Sequence, residues 1–316
     1  MSKKNDGRWI SGFWRRIGAF VIDSAILGGV GYGLGMIFEK QFVELGGWSR
    51  LVGFCIALAY FGIMNSRISG GQTLGKKVLK IKVVDGENQP IDVVRSFTRY
   101  SILGIPYFLN GAHFTSNALS SYWIYPLSFV IFGGMASTVY LYIFNRVTRQ
   151  SLHDLIVGTF VVNVNVEKQE PGTVWRPHLL VVAAFFILAA IMPVFTTHLS
   201  QSGTFRDLLS AQAAIMKEPS VGYASVSYGK RSFSSATNGT ATTTTYVIAQ
   251  AFTGTNDIGD AQTARKLAEI LVKRYPESLK KDTIQIKLTY GYDIGIASRW
   301  HSYTHVFKPG DFSQDE

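Results

Sequence analysis

The sequence predicts a polytopic α-helical membrane protein of about five spans, arranged as a two-copy repeat, with a soluble α+β domain at the C-terminus. Three observations carry that expectation. The apolar residues gather in long runs before His198, the segment beyond it alternates amphipathic helix and strand patterns, and Lys and Arg crowd one set of loops. The 316 residues are 47% hydrophobic, with a mean hydropathy of +0.15 and a formal charge of +10. Membrane-flanking Lys and Arg account for most of that charge, and no nucleic-acid-binding motif accompanies it, so no nucleic-acid partner is expected. The single cysteine, Cys55, excludes an internal disulfide and a Cys-based metal site, and the six histidines show no HExxH spacing. No metal, cofactor or catalytic residue is implied, and an enzyme is not expected.

Residues 1–16 form a basic cytoplasmic segment, and the first span is Ile17 to Phe38. Its 22 residues match the roughly 20 a helix needs to cross a bilayer. The run is too long for a signal-peptide core and lacks a small-residue cleavage site, so it reads as an uncleaved anchor. Trp48 to Met64 is the second span. Tyr100 to Phe144 contains no Lys, Arg, Asp or Glu and suits two more, joined near Thr115 to Ser121, with 100–114 the shorter. Residues 17–166 thus form the four-span membrane domain, 167–199 a linker and fifth span (Leu179 to Leu199), and 200–316 the soluble domain.

Topology follows from the flanks. Residues 1–16, 65–99 and 145–178 hold sixteen Lys and Arg, whereas the opposite flanks hold only Lys40 and Arg50. The positive-inside rule then places the N-terminus and both long loops in the cytoplasm. An odd number of spans puts residues 200–316 outside the plasma membrane, as in the bacterial inner membrane.

The two cytoplasmic loops look alike. Gln72 to Val84 aligns without gaps on Gln150 to Val162, sharing Gln, Thr or Ser, Leu and a final Val-Val, with Lys76 opposite Asp154. Each reads as a capped helical turn followed by a strand, near Val78 to Val84 and Thr159 to Val166, and the strands can pair beneath the bilayer. Repeats of this kind occur in transporters, with sites at the repeat interface.

The outer domain reads as helix, two strands, helix, two strands. The helices are Phe205 to Lys217 and a second one capped by Asp257, with Ala261, Ala264, Leu267 or Ala268, and Leu271 on its buried stripe and Pro276 ending it. The strands are Val221 to Phe233, Thr240 to Phe252, Thr283 to Tyr290 and Ile294 to Phe307. About 115 residues suffice for an independent core without disulfides.

Asp23 is the sharpest residue. A carboxylate inside an apolar span is a functional hypothesis by default, because burying it costs about 2.5–3.5 kcal/mol on insertion scales. Arg16, seven residues earlier, lies on the same helix face but about 10 Å away, so each needs a partner from another element. Matching depths from the cytoplasmic ends offers Ser137, Thr138 and Tyr60 as neighbours of Asp23. Its roles are a titrating proton or cation ligand, or a permanent hydrogen-bonded glue residue. Ser151-Leu-His-Asp154 has the capping-box pattern, which makes Asp154 first of all a helix cap, and Arg16 at the same interface can pair with it or snorkel.

Other patterns dissolve on inspection. Gly70 to Lys76 satisfies GxxxxGK, but Lys77 stands where Ser or Thr must ligate magnesium and an apolar span precedes it. Gly29, Gly31, Gly33 and Gly35 read as small-residue helix packing, and a homo-oligomer joined through that face is compatible with the sequence. His153-Asp154 lacks the further ligands of a phosphohydrolase metal site. His301 and His305 share a strand face that reads as solvated, and Asn238 begins a glycosylation sequon.

RRIGAFVID (Arg15 to Asp23), GQTLGKKVLKIKVVD (Gly71 to Asp85) and RQSLHDLIVGTFVV (Arg149 to Val162), in that order, resemble the RDD family of membrane proteins. The resemblance covers residues 8–166. Its namesake arginine and aspartates map to Arg16, with Arg15 as rival, Asp23 and Asp154, with His153 beside the last. It implies cation or proton exchange for some members and leaves the outer domain unassigned. Two functions follow. One is transport of cations or protons with Asp23 titrating and Arg16 and Asp154 as a gate. The other is a non-transporting scaffold or sensor whose outer domain binds an extracytoplasmic partner.

Overall fold

The computed structural model describes residues 8–112, 122–200, 202–234 and 241–312. The joint expected near Thr115 to Ser121 and the sequon at Asn238 lie outside them. The chain divides into two units, 1–37 with 47–194 and 293–298, and 38–46 with 195–292 and 299–316.

In the first unit, α1 (Phe13–Leu45) is longer than expected, because the helix resumes past a non-helical residue at Phe38, where the span was expected to stop. Gly46, with φ of +53°, begins the turn into α2 (Ser49–Met64). Leu27 of α1 and Ala57 and Phe61 of α2 share an apolar cluster, so α2 runs back along α1. Next come α3 (Leu74–Val78), β1 (Ile81–Val84) and α4 (Val93–Asn110). The remainder is α5 (Ile124–Phe144), which has a π-helical stretch at Phe129–Gly133, then α6 (Leu152–Val157), β2 (Phe160–Asn163) and α7 (Arg176–Ser200).

Among the described residues, three stretches are long and apolar enough to cross a membrane: Phe13–Met64, Ile124–Phe144 and Arg176–His198. That is three candidate stretches where five spans were expected, and the helices do not by themselves show the two-copy repeat. The difference has two sources: Phe13–Met64 joins α1 and α2 in one stretch, and α4 is short. Its uncharged part starts after Arg99 and the helix ends at Asn110, which gives roughly 16 Å of rise against a hydrocarbon core of about 30 Å. Close packing holds α5 in place. A Cβ at Gly133 would meet Phe186 of α7 at 2.4 Å, and one at Gly134 would meet Pro106 of α4 at 2.9 Å.

The two loop strands do pair. β1 and β2 run antiparallel, with Val83 opposite Val161, and Ile10 adds a bridge to Val162. Trp9, fully buried, packs with Val84 and Val162.

In the second unit, α8 (Gly203–Ile215), β3 (Val221–Ser234), β4 (Ala241–Thr253), α9 (Ala261–Arg274), β5 (Thr283–Asp293) and β6 (Ser298–Phe307) follow the expected order. The sheet order is β3-β4-β5-β6, with β3 and β4 antiparallel and β4 and β5 parallel. The parallel pair needs a crossover, and α9 supplies it. Leu208, Ala211 and Ile215 of α8 and Leu267 and Leu271 of α9 bury against Val247, Ala249, Ile284, Ile286 and Leu288. Two sequence expectations fail here. Asp260, not Asp257, caps α9 through the backbone N–H groups of Gln262 and Thr263, and Ala261 is exposed because it opens the first turn.

Candidate functional site

Two buried carboxylates, one on α1 and one on α6, anchor the site. Asp154 has no solvent exposure. One of its oxygens accepts from Arg99 Nε at 2.9 Å, Arg99 Nη2 at 2.7 Å and Thr159 Oγ1 at 3.0 Å. The other accepts from Arg16 Nη2 at 2.8 Å and from the backbone N–H of Ser151 at 3.5 Å, so the residue is both helix cap and ion-pair hub. Arg16 also donates to the Arg149 carbonyl and lies 4.9 Å from the Tyr142 ring centre. Burial alone would raise the Asp154 pKa, but the Arg99 and Arg16 guanidiniums outweigh it and hold the carboxyl below the ordinary carboxylate range.

Asp23, 1% exposed, is held by a different set. Its carboxylate accepts from Tyr60 Oη at 2.7 Å, Thr73 Oγ1 at 2.6 Å and the backbone N–H of Gly75 at 2.8 Å. All three are donors, as an acceptor-only carboxylate requires. The Gly75 N–H is one of the unpaired amides of the first turn of α3, so Asp23 serves as a cap supplied by another helix. Gly75 must be glycine for this. A Cβ there would stand 2.1 Å from the Ala19 carbonyl oxygen and 3.0 Å from the Asp23 carboxyl carbon.

Between these groups lies a cavity of about 230 Å³ whose lining includes Arg16, Asp23, Lys76, Arg99 and His153. Lys76 Nζ donates to Asn65 Oδ1 at 2.8 Å and forms no ion pair among the described residues. Burial, and then the positive charge of Arg99, pull its pKa down to about 7. Burial likewise lowers His153 to about 3, which leaves the ring neutral; it bonds Ser151 Oγ at 2.9 Å.

The structure sorts the residues expected from sequence. Tyr60 is bonded to Asp23, and Thr138 lines the same cavity. Ser137 is buried with no hydrogen-bond partner for its hydroxyl, so it does not hold Asp23. Arg15 donates to Asn163 Oδ1 at 3.1 Å, outside the carboxylate network, which leaves Arg16 as the ion-pairing arginine. The glycines of Gly70 to Lys76 serve backbone geometry. Gly71, with φ of +74°, turns the chain where a Cβ would meet the Val83 carbonyl oxygen at 2.2 Å. His305 is half-buried and bonds the Ile258 carbonyl at 3.0 Å, so that face of β6 is not simply solvated.

Sequence reasoning missed Arg99, Thr73 and Thr159, and noted Lys76 only by its alignment with Asp154 and as the lysine of GxxxxGK. Arg99 had a signal, being the last charge before the long uncharged run. The loop alignment also has a local counterpart. Gln72 Nε2 donates to the Ile81 carbonyl and Gln150 Nε2 to the Thr159 carbonyl, each at 2.9 Å.

No curated protein and no solved structure matches the chain. A profile of the RDD family matches residues 10–158, which contain Arg16, Asp23, Arg99 and Asp154. Stretches apolar enough to span a membrane, a buried network in which Asp154 joins Arg16 of α1 to Arg99 of α4, and this match lead to one conclusion: residues 10–158 are a region of the RDD family.

Proposed function

We propose that the RDD region is a non-enzymatic transporter of cations or protons, with Asp23 as the cation ligand and Lys76 as the group that releases the proton. The supporting observation is the placement of both side chains on one cavity. With Lys76 protonated, the cavity is lined by three cationic groups (Arg16, Arg99, Lys76) and the Asp23 carboxylate, with Asp154 behind it paired to both arginines. Loss of the Lys76 proton removes the excess positive charge and lets a cation approach Asp23. This revises the roles expected from sequence. Asp154 is saturated by two guanidiniums and acts as a fixed lock, and three donors already hold Asp23. The same proposal keeps the five-span, two-copy arrangement, with the N-terminus cytoplasmic and residues 200–316 outside. It is supported by the Lys and Arg asymmetry and by the matching Gln72 and Gln150 bonds.

The test is flux of lithium, sodium and potassium into proteoliposomes under an imposed pH gradient. Wild-type protein should show pH-dependent uptake of at least one cation, and Asp23→Asn and Lys76→Gln should abolish it while still inserting and folding. Unchanged flux in Asp23→Asn would refute the assignment. The saturation of Asp154 favours a second reading, in which the buried charges only lock helices and the outer domain binds a partner. Absence of flux in wild type, together with a co-purifying protein lost on deletion of 200–316, would support it.

A further inference from the structure

The cavity is built for more than a small ion. Its polar end carries the amine of Lys76, which is bonded to Asn65 and forms no ion pair among the described residues, while its remaining walls include Phe20, Phe61, Tyr100 and Leu103. A second cavity of about 160 Å³ shares those four residues and continues past Leu27 and Ala57. Phe20 is 52% exposed on α1, inside a stretch apolar enough to face lipid, so this wall borders the bilayer. A cationic head next to an elongated apolar cleft suits an anionic amphiphile, and basic pockets between membrane helices are an established way of holding acidic headgroups. A free phosphate would satisfy Lys76 and leave the apolar cleft unfilled.

We propose that this cavity is a binding site for an anionic phospholipid of the surrounding leaflet, with its phosphate against Lys76 and an acyl chain along Phe20 and Leu103 into the second cavity. The proposal goes beyond ion transport and does not require it; a phosphate on Lys76 holds the proton that transport would release, so the two are alternative states of one site. Asp23 faces the same space but is engaged by Tyr60, Thr73 and Gly75, and Asp154 by Arg16 and Arg99, so Lys76 is the cation left to meet a phosphate. The neutral His153 adds no competing charge. A bound phosphate also restores the charged state of Lys76, which burial alone disfavours.

Native mass spectrometry of the delipidated full chain in detergent tests the site, using dioleoyl-phosphatidylglycerol and dioleoyl-phosphatidylcholine as probes with identical chains. Wild-type protein should retain the phosphatidylglycerol about tenfold more tightly, a difference on the order of one charge-assisted contact. Lys76→Gln should remove that preference, Lys76→Arg should keep it, and Leu103→Trp should weaken both lipids. Lys77→Gln, which alters an exposed neighbour, should change nothing. Equal retention of the two lipids by wild type would overturn the proposal without recourse to any variant. An equal loss in Lys77→Gln, which would mark surface binding, or retention of inorganic phosphate in place of lipid would overturn it too.

Discussion

Removing the carboxylate of Asp154 is the most severe single test of how the loop region is held. Asp154→Ala leaves the guanidiniums of Arg16 and Arg99 facing each other in a site where Arg16 is 8% and Arg99 7% exposed. It also deletes the acceptor for Thr159 and the cap for Ser151. Breaking a buried ion pair by removing one partner costs about 3–5 kcal/mol, because the surviving charge keeps its desolvation penalty and loses its compensation. For a domain of this size one kcal/mol moves the midpoint by about 2–4 °C, so the expected drop is about 6–20 °C. Intrinsic tryptophan fluorescence during a thermal ramp in detergent reads it, since Trp9 is buried against the paired strands beside this site. Arg99→Ala, which removes two contacts to Asp154, and Arg16→Ala should each destabilise. Arg15→Ala, which loses one exposed bond to Asn163, should stay within about 0.5 kcal/mol of wild type. The triple replacement Arg16→Met, Arg99→Met, Asp154→Leu should recover part of the loss, because it removes the charges as well as the pairing. A drop under about 2 °C in Asp154→Ala would refute the reasoning.

Tyr60→Phe removes a donor from Asp23 and an acceptor from the Leu74 N–H. It should cost about 1–3 kcal/mol, read by the same melt and by faster amide exchange across residues 74–78. Lys76 sets a pH dependence whose sign is fixed by its lowered folded pKa. Between about 7 and its ordinary value near 10.5 the unfolded chain binds a proton that the folded chain does not, so stability rises with pH across that window. Lys76→Met should flatten that slope in melts from pH 7 to 10.5, and an unchanged slope would assign it elsewhere. Gly75→Ala should cost about 1–3 kcal/mol by forcing α3 away from Ala19, whereas Gly29→Ala, with open space around it, should be neutral or slightly stabilising in the melt. Asp260→Ala should cost about 1 kcal/mol through the lost cap and increase exchange at the start of α9, while Asp257→Ala should not.

What could be seen in advance follows the reach of each interaction. The apolar runs, the loop strands and the α+β order of 200–316 depend on local patterning, and most of their boundaries come within a few residues. The cap of α9 slipped by three because Asp257 and Asp260 precede the same apolar stripe, and backbone geometry alone selects between them. Tyr60 was reachable as a neighbour of Asp23 by matching depths along two antiparallel helices. Ser137 satisfied the same depth and failed, since depth does not specify which way a helix is rotated.

The chain's linear order determined that this is a membrane protein with RDD signatures, and that Arg16 and Asp23 need partners from elsewhere, because they share a helix face too far apart to pair with each other. Only the tertiary structure decided who those partners are. Asp154 took Arg16 and Arg99, Asp23 took Tyr60, Thr73 and the Gly75 amide, and Lys76 was left on the cavity wall without a carboxylate. Such choices turn on ångström distances between segments 37 to 138 residues apart, and no pattern along the chain encodes them.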